Sequence, residues 1–204
     1  MSKPIAQILA DVESATSSAT SVHIVASGLS GGSALDINIK LANGIGGAGA
    51  MTANGLTFQI DRIGAKAYFE GGSSFWKHIA RRSSNAFIQL FAGRWIEASA
   101  TSGQLAPLTT FTDMKTLFAG LLGSHGKLAL GSKTTIDGQP AFGLIDTTQG
   151  GTLYIAATGR PYPLAVTPKH GAGSGSIMFE AWDQPVHLSA PSHPLDFTTL
   201  LAGK

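Results

Sequence analysis

Residues 34–44 (ALDINIKLANG) decide the fold class. Their apolar side chains recur at every second position, with small or polar residues between them, as a strand with one buried face requires. These apolar residues are Leu35, Ile37, Ile39 and Leu41. The Asn43-Gly44 pair that follows is a strong signal for a two-residue hairpin turn. The stretch therefore predicts an antiparallel hairpin.

The same period of two extends in both directions from this hairpin. It runs through residues 21–27, 45–53 and 56–70, with a second hairpin turn at Asn54-Gly55. An antiparallel meander is therefore predicted for residues 21–70. The pattern returns in the last third of the chain. There it predicts strands at residues 127–136, 141–147, 152–157, 163–167, 176–182 and 186–189.

Helical spacing of apolar residues separates the two groups of strands. It predicts helices over residues 4–20, 73–91 and 110–122, with Thr112 capping the last of them. The order helix, strands, helices, strands predicts an α+β fold, with the helices on one face of a curved antiparallel sheet. The length of 204 residues fits one domain, residues 1–204.

Composition excludes several classes of protein. Charged residues make up 13% of the chain, about half of the ~25% found in ordinary soluble domains, and this argues against disorder and coiled coils. The net charge of +2 is too small for a nucleic-acid binder that works by counterion release. Since the chain has no cysteine, thiolate zinc sites and thiol catalysis are excluded. No apolar run reaches the ~18 residues of a transmembrane helix.

Two glycine-rich stretches match catalytic or nucleotide-binding patterns by spacing alone. Residues 28–32 (GLSGG) match G-x-S-x-G, and residues 44–49 (GIGGAG) match G-x-G-x-x-G. Both patterns require a helix directly afterwards, for the nucleophile elbow in one case and for pyrophosphate binding in the other. Strand patterns follow instead, so a turn and a glycine-rich strand are the favoured interpretations. A serine hydrolase that uses Ser30 stays the least favoured alternative.

The polar residues predict no catalytic group, cofactor or metal site. None of the six histidines has a partner at helical spacing, although a cross-strand pair of His23 with His187 stays open. The twelve carboxylates are scattered along strands and turns. Lys77, Arg81 and Arg82 form a local basic patch, for which a solvated helix face is favoured over contact with lipid headgroups.

Apolar residues are abundant relative to charged ones, and composition leaves two explanations open. They form either an ordinary core or the lining of a lipid-sized cavity between sheet and helices. In the second case the strands contribute Leu35, Ile37, Ile39, Phe58 and Ile60 to ligand binding. The helices contribute Phe75, Ile79, Phe87, Phe118 and Leu122.

Three motifs carry a resemblance to a known family. They are residues 177–186 (IMFEAWDQPV) with the following Ala190-Pro191, residues 153–164 (LYIAATGRPYPL) and residues 136–141 (IDGQPA). Each is moderately specific, and together, in their order along the chain, they resemble the actinobacterial lipoproteins of the LppX/LprG type. The resemblance extends over nearly the whole chain.

The resemblance implies a LolA-like fold, a half-open antiparallel β-barrel with helices covering its concave face. It implies a non-enzymatic carrier or receptor in the cell envelope, extracytoplasmic, that binds lipid, glycolipid or lipoprotein acyl chains. An envelope transporter or acceptor protein is the implied partner. Anchored members begin with a signal peptide and a lipidated cysteine, which this sequence does not include. We therefore expect the mature domain of a lipoprotein that associates with the membrane through an N-terminal lipid anchor, with Met1 as an expression start. A docking or sensor module without lipid cargo is the alternative.

Overall fold

The computed structural model describes residues 3–30, 33–80, 84–101, 105–168 and 175–197, without the side chains of residues 29, 30, 33, 34 and 87. The helices are α1 (Ile5–Ser18), α2 (Ser73–Ile79), α3 (Asn85–Phe91), α4 (Ala106–Thr109) and α5 (Met114–Gly123), with a 3-10 turn at Thr110–Thr112. The first strands are β1 (Ser21–Ser30), β2 (Ser33–Ala42), β3 (Gly46–Ala53), β4 (Leu56–Ile63), β5 (Lys66–Gly71) and β6 (Ile96–Ser99). The later strands are β7 (Leu128–Ile136), β8 (Gln139–Asp146), β9 (Thr152–Ala156), β10 (Pro163–Thr167), β11 (Gly175–Glu180) and β12 (Leu195–Asp196).

The strands form one sheet in the order β12-β6-β5-β4-β3-β2-β1-β11-β10-β9-β8-β7. Two antiparallel meanders, β1–β6 and β7–β11, are joined where β1 pairs with β11. The short β12 is parallel to β6. Since β6 and β7 lie near opposite edges of the sheet, the chain between them must cross it. α4, the 3-10 turn and α5 make this crossing.

One row of directly paired residues marks the face that the helices cover. Directly opposite residues of an antiparallel pair share a face of the sheet. The row runs through Phe179, Ile24, Ile39, Gly49, Ile60, Phe69 and Ile96. Its apolar side chains are all buried in one core cluster with residues of α2, α3 and α5. The concave face of the sheet is therefore the core face.

Glycines in the strands let the covering segments come close to the backbone. A Cβ atom on Gly47 would lie 2.5 Å from Cδ2 of Leu41 and 3.4 Å from Cα of Thr112. A Cβ atom on Gly71 would lie 2.5 Å from the ring of Phe75. The G-x-G-x-x-G match thus belongs to a turn and to β3, which confirms its interpretation as a glycine-rich strand.

Aromatic rings fill the concave face over β4, β5 and β6. Phe58 stacks on Phe75 with 4.8 Å between ring centroids, and Phe75 meets Trp76 edge-on at 5.0 Å. Trp76 contacts Phe91 at 5.2 Å and Phe197 at 6.4 Å. All five residues are buried. This half of the interior is therefore filled with packed side chains, as in an ordinary protein core.

Two predicted helices have different bounds in the structure. The helix expected over residues 73–91 is interrupted, because α2 ends at Ile79 and α3 begins at Asn85. The last helix begins at Met114 and not at residue 110. Its cap is Asp113 and not Thr112, since a carboxylate oxygen of Asp113 accepts the Thr116 N–H at 2.9 Å. The hydroxyl of Thr112 donates to the Thr109 carbonyl instead, at 2.6 Å.

The strand predicted at residues 186–189 was wrong. The segment after β11 has no regular structure until β12. Pro185 and Pro191 bracket this segment, and proline lacks the N–H that a ladder needs. The burial of the side chains still alternates, since Val186 and Leu188 are half-buried while His187 and Ser189 are exposed, but no ladder forms.

Candidate functional site

A stack of aromatic residues closes one end of the space beneath α5. Phe118 of α5 contacts Phe179 at 5.3 Å and Trp182 at 5.2 Å between ring centroids. Trp182 lies parallel to Tyr162 at 4.4 Å and donates its indole N–H to the Pro163 carbonyl at 2.9 Å. The tryptophan of the 177–186 motif is thus a structural element that ties β10 and β11 to the helix.

Asp183 holds this closed end in place through charged hydrogen bonds. Its carboxylate accepts the Tyr162 hydroxyl at 2.6 Å and the Thr20 backbone N–H at 2.8 Å. The Tyr162 hydroxyl, followed by the Thr20 N–H, holds the pKa of Asp183 below its usual value. Burial, followed by the bond to Asp183, raises the pKa of Tyr162. The network joins the end of α1 to the β9–β10 turn.

We expect Asp183→Asn to lower the free energy of unfolding by about 1 kcal/mol at neutral pH, because it weakens charge-assisted bonds at a partly exposed site. The pKa of Asp183 is lower in the native protein than in the unfolded chain, where it is ~3.9. The stability that Asp183 contributes is therefore fully present above the unfolded pKa and is lost as pH falls through the native pKa. Urea unfolding of both proteins across the acid range measures this difference.

The control is Asp137→Asn, which removes the same charge from another residue with positive φ but leaves the network intact. It should not reproduce the pH-dependent loss. An equal loss in both variants, or a difference that stays constant down to strongly acid pH, would contradict the role given to Asp183.

Among the residues that the structure describes, the other end of the concave face is open. A cleft of about 170 Å³ lies over β2, β1, β11 and β10. Leu35, Ala26, Ile177 and Val166 contribute apolar side chains to it. Gly28 and Gly175, which also line the cleft, add no side chain, and a Cβ atom on Gly175 would lie 2.5 Å from the Ser27 carbonyl oxygen. Within the described part of the chain, no side chain from these two positions enters the cleft.

A second cleft, of about 180 Å³, continues from the first toward the helices. The two clefts share Val166 and Pro168. Apolar residues of the sheet, α1 and α5 line the second cleft. They include Leu9, Leu121, Leu122, Leu144 and Leu153. The two clefts together are called the rim groove below.

The second cleft also has a polar mouth, formed by Ser124, His125, Asp146 and Gln149. The Asp146 carboxylate accepts the backbone N–H of Gly126 at 2.7 Å and that of Gln149 at 2.8 Å. Backbone hydrogen bonds, that from Gly126 first, hold the pKa of Asp146 below its usual value. A carboxylate and three other polar side chains therefore stand where the apolar groove meets water.

Two further clefts border α1. One, of about 210 Å³, lies between α1 and α5 and includes Met114, Phe118 and Leu122 in its lining. A wider one, of about 570 Å³, lies between α1 and the β9–β10 turn. Lys3, Asp11 and Arg160 line the wider cleft. Its charged lining does not suit an apolar ligand.

The described part of the chain shows no group of three or more histidine, aspartate or glutamate side chains placed to hold a metal ion. His23 lies on the convex face, where its Nε2 is 2.9 Å from Oδ1 of Asn38 and its paired residue on β11 is Glu180. The cross-strand pair of His23 with His187, which the sequence left possible, does not form, because His187 lies in the irregular segment after β11 and not on a strand. The side chain of Ser30 lies outside the described residues. Within the described ranges, no helix is long and apolar enough to cross a membrane.

Comparison with solved structures shows which fold this is. LprF from Mycobacterium bovis superposes with a TM-score of 0.59 and 14% identity, over 91% of this chain and 95% of LprF. The chain has the fold of LprF. The LolA-like α+β half-barrel is therefore confirmed, and the resemblance to LppX/LprG-type lipoproteins holds at the level of the fold.

Weaker likenesses extend to other proteins. The lipoprotein LppX of Mycobacterium tuberculosis has a TM-score of 0.49 and 16% identity, over 91% of this chain and all of LppX (100%). MucB in complex with MucA(peri) has a TM-score of 0.40 and 14% identity, over 97% of this chain and 59% of MucB. The sequence matches no known family model and no curated protein.

The LprF-like fold places the sequence-predicted ligand residues in three settings. Leu35 and Leu122 line the rim groove, and Phe118 and Leu122 line the cleft between α1 and α5. Ile37 and Ile79 are partly buried against the core. The fully packed group consists of Ile39, Phe58, Ile60 and Phe75. The side chain of Phe87 lies outside the described residues. Their role in ligand binding stays a prediction.

Sequence reasoning missed most of the rim groove. Val166, Pro168, Ile177, Leu144 and Leu153 line it, and all lie in the C-terminal meander. The alternation of apolar residues that predicted these strands also places Leu144, Leu153 and Ile177 on the core face. That signal was available, but nothing in it distinguishes a covered part of the face from an open one.

Proposed function

We propose that the protein is a non-enzymatic carrier or receptor of the cell envelope that binds the acyl chain of a lipid, glycolipid or lipoprotein in the rim groove. The observation that carries this proposal is the pair of neighbouring apolar clefts that share Val166 and Pro168 and extend from Leu35 on β2 to Leu122 on α5. Among the described residues they are open at the end opposite the Trp182 stack. The LprF fold and the resemblance to the LppX/LprG type support the envelope location.

The dimensions of the groove favour a narrow ligand. Each of its two clefts is smaller than the ~300 Å³ at which pockets for compact small molecules begin. Joined end to end at Val166 and Pro168, they suit a slender hydrocarbon chain better than a bulky ring system. Each methylene group transferred from water contributes about 0.8 kcal/mol, so affinity should depend strongly on chain length.

The polar mouth gives the ligand a direction. Ser124, His125 and Gln149 can exchange hydrogen bonds with a polar headgroup, while the chain lies along Leu144 and Leu153. A buried headgroup without partners would cost several kcal/mol, and placing it at the mouth avoids this cost. A carrier of this kind needs no catalytic side chain. It needs only an apolar surface for the acyl chain and an opening through which the lipid enters and leaves.

Native mass spectrometry tests the proposal. We expect the protein purified under mild conditions, or incubated with palmitic acid after delipidation, to carry the mass of one acyl ligand. Delipidated protein that gains no mass with palmitic acid or a diacyl lipid would contradict the carrier function. Hen lysozyme treated identically controls for adducts that form during ionisation.

A docking module without lipid cargo is the second candidate, and the edge of the sheet favours it. β7 is an edge strand, on which Leu130 is 48% exposed, and the neighbouring Ile145 of β8 is 39% exposed. An edge with exposed apolar side chains can pair with a strand of another protein. If the protein is a docking module, we expect no lipid in the mass spectrum. We also expect wild type to form a complex with its partner protein and Leu130→Lys to lose it.

A further inference from the structure

We infer that Leu122 sets the longest acyl chain that the protein accepts, because its side chain is the partition between the rim groove and the cleft beyond it. The inference rests on the proposed function, since it assigns a length limit to the same site. It makes Leu122 a specificity-determining residue and not merely one of several lining residues.

Two apolar clefts lie over the concave face, and a third, partly polar cleft lies between α1 and α5. The first and second meet at Val166 and Pro168 and form the rim groove. The second and the cleft between α1 and α5 have one lining residue in common, Leu122. A chain that enters by the groove therefore meets Leu122 before it can reach the next space.

The packing around Leu122 explains its position. Phe118, one turn earlier on α5, packs into the larger core cluster against Phe179 and Trp182. Leu122 packs instead into the smaller cluster, which includes Val12 of α1 and Leu144 of β8. Its side chain thus closes the gap between α1 and the sheet at the point where the solid core ends.

The space behind this partition is large enough to change selectivity. The cleft between α1 and α5 has a volume of about 210 Å³, similar to the 180 Å³ of the second cleft. Met114 and Phe118 give it apolar walls, whereas Glu13 and Lys115 give it a polar outer rim. A longer tail can therefore extend into it until it reaches the charged rim.

Leu121 provides a matched control. It lies next to Leu122 on α5 and lines the second cleft, but it does not line the cleft between α1 and α5. Leu121→Ala and Leu122→Ala remove the same atoms from neighbouring positions. Both enlarge the second cleft, and only Leu122→Ala opens the way into the next one.

The experiment measures the dissociation constants of delipidated wild type and both variants for dodecanoic, palmitic, stearic and docosanoic acids. In wild type and Leu121→Ala, affinity should rise with chain length and level off at the same acid. In Leu122→Ala the plateau should move to a longer acid. The dissociation constant for docosanoic acid should be at least about tenfold lower than in wild type, since each extra buried methylene lowers the dissociation constant about fourfold.

Plateaus that coincide in Leu121→Ala and Leu122→Ala would overturn the inference while leaving the carrier function intact. A wild type that binds none of the acids would instead remove the proposed function. If Leu122→Ala unfolds, Leu122→Val is the second variant, and it should move the plateau in the same direction by a smaller amount. An unmoved plateau in a folded Leu122→Val would equally overturn the inference.

Discussion

Trp76→Ala should lower the free energy of unfolding by about 3–5 kcal/mol, the range for truncating a large aromatic residue in a packed core. Trp76 is 0% exposed and contacts Phe75, Phe91 and Phe197 at the centre of the aromatic cluster. Because β4–β6 and α2–α3 hold these rings from both sides, the site cannot collapse to refill the cavity. Denaturant unfolding followed by circular dichroism measures the loss.

Trp76→Phe separates ring packing from the polar atom. The indole Nε1 of Trp76 is buried and has no hydrogen-bond partner among the described residues, and an unpaired buried donor costs about 1–3 kcal/mol. Phenylalanine keeps a ring and removes this donor, so the variant should stay within about 1–2 kcal/mol of wild type. A loss below about 1.5 kcal/mol for Trp76→Ala would show that this half of the interior is not solid.

The fold class was predictable because strand alternation is a local property of the chain. The alternation in residues 34–44 places Ile37 and Ile39 on one face, and the Asn43-Gly44 turn pairs the strand with its neighbour. The pairing of β1 with β11 was not predictable in this way. It joins Ile24 to Phe179 across more than two thirds of the chain, and no local pattern encodes such a contact.

The predicted start of α5 was wrong because two neighbouring side chains can each cap the helix. Thr112 and Asp113 are both good caps by residue type, and the choice depends on where each side chain points in the folded protein. Asp113 caps α5 and also accepts a hydrogen bond from Arg62 at 3.0 Å, a contact 51 residues away in sequence. This long-range ion pair favours the aspartate, and the sequence alone does not reveal it.

The candidate site was partly predictable for a similar reason. Alternation identifies the core face, so Leu35 and Phe58 were both assigned to ligand binding. It does not reveal that Phe75 lies on Phe58, whereas Leu35 lies beside a cleft that Gly28 and Gly175 also line. The division of one apolar face into a solid half and an open half depends on where the helices lie.

Val166→Phe should weaken the binding of palmitic acid by about tenfold or more. Val166 lies where the two clefts of the rim groove meet, paired with Ile177 on β11 and Leu153 on β9. A phenyl ring there occupies the passage that a chain must cross. Excluding even two methylene groups costs about 1.6 kcal/mol, which corresponds to this loss of affinity. Titration with a fluorescent fatty acid, displaced by palmitic acid, gives the dissociation constants.

The most direct measurement is the fraction of protein that carries one palmitic acid in native mass spectra of wild type, Val166→Phe and Val25→Phe at equal ligand concentration. Val25 lies on the convex face, paired with Asn38 and Met178, so its replacement adds the same ring away from the groove. We expect wild type and Val25→Phe to carry the ligand and Val166→Phe to be largely free of it. Equal occupancy in the two variants, or an empty wild type, would contradict this expectation.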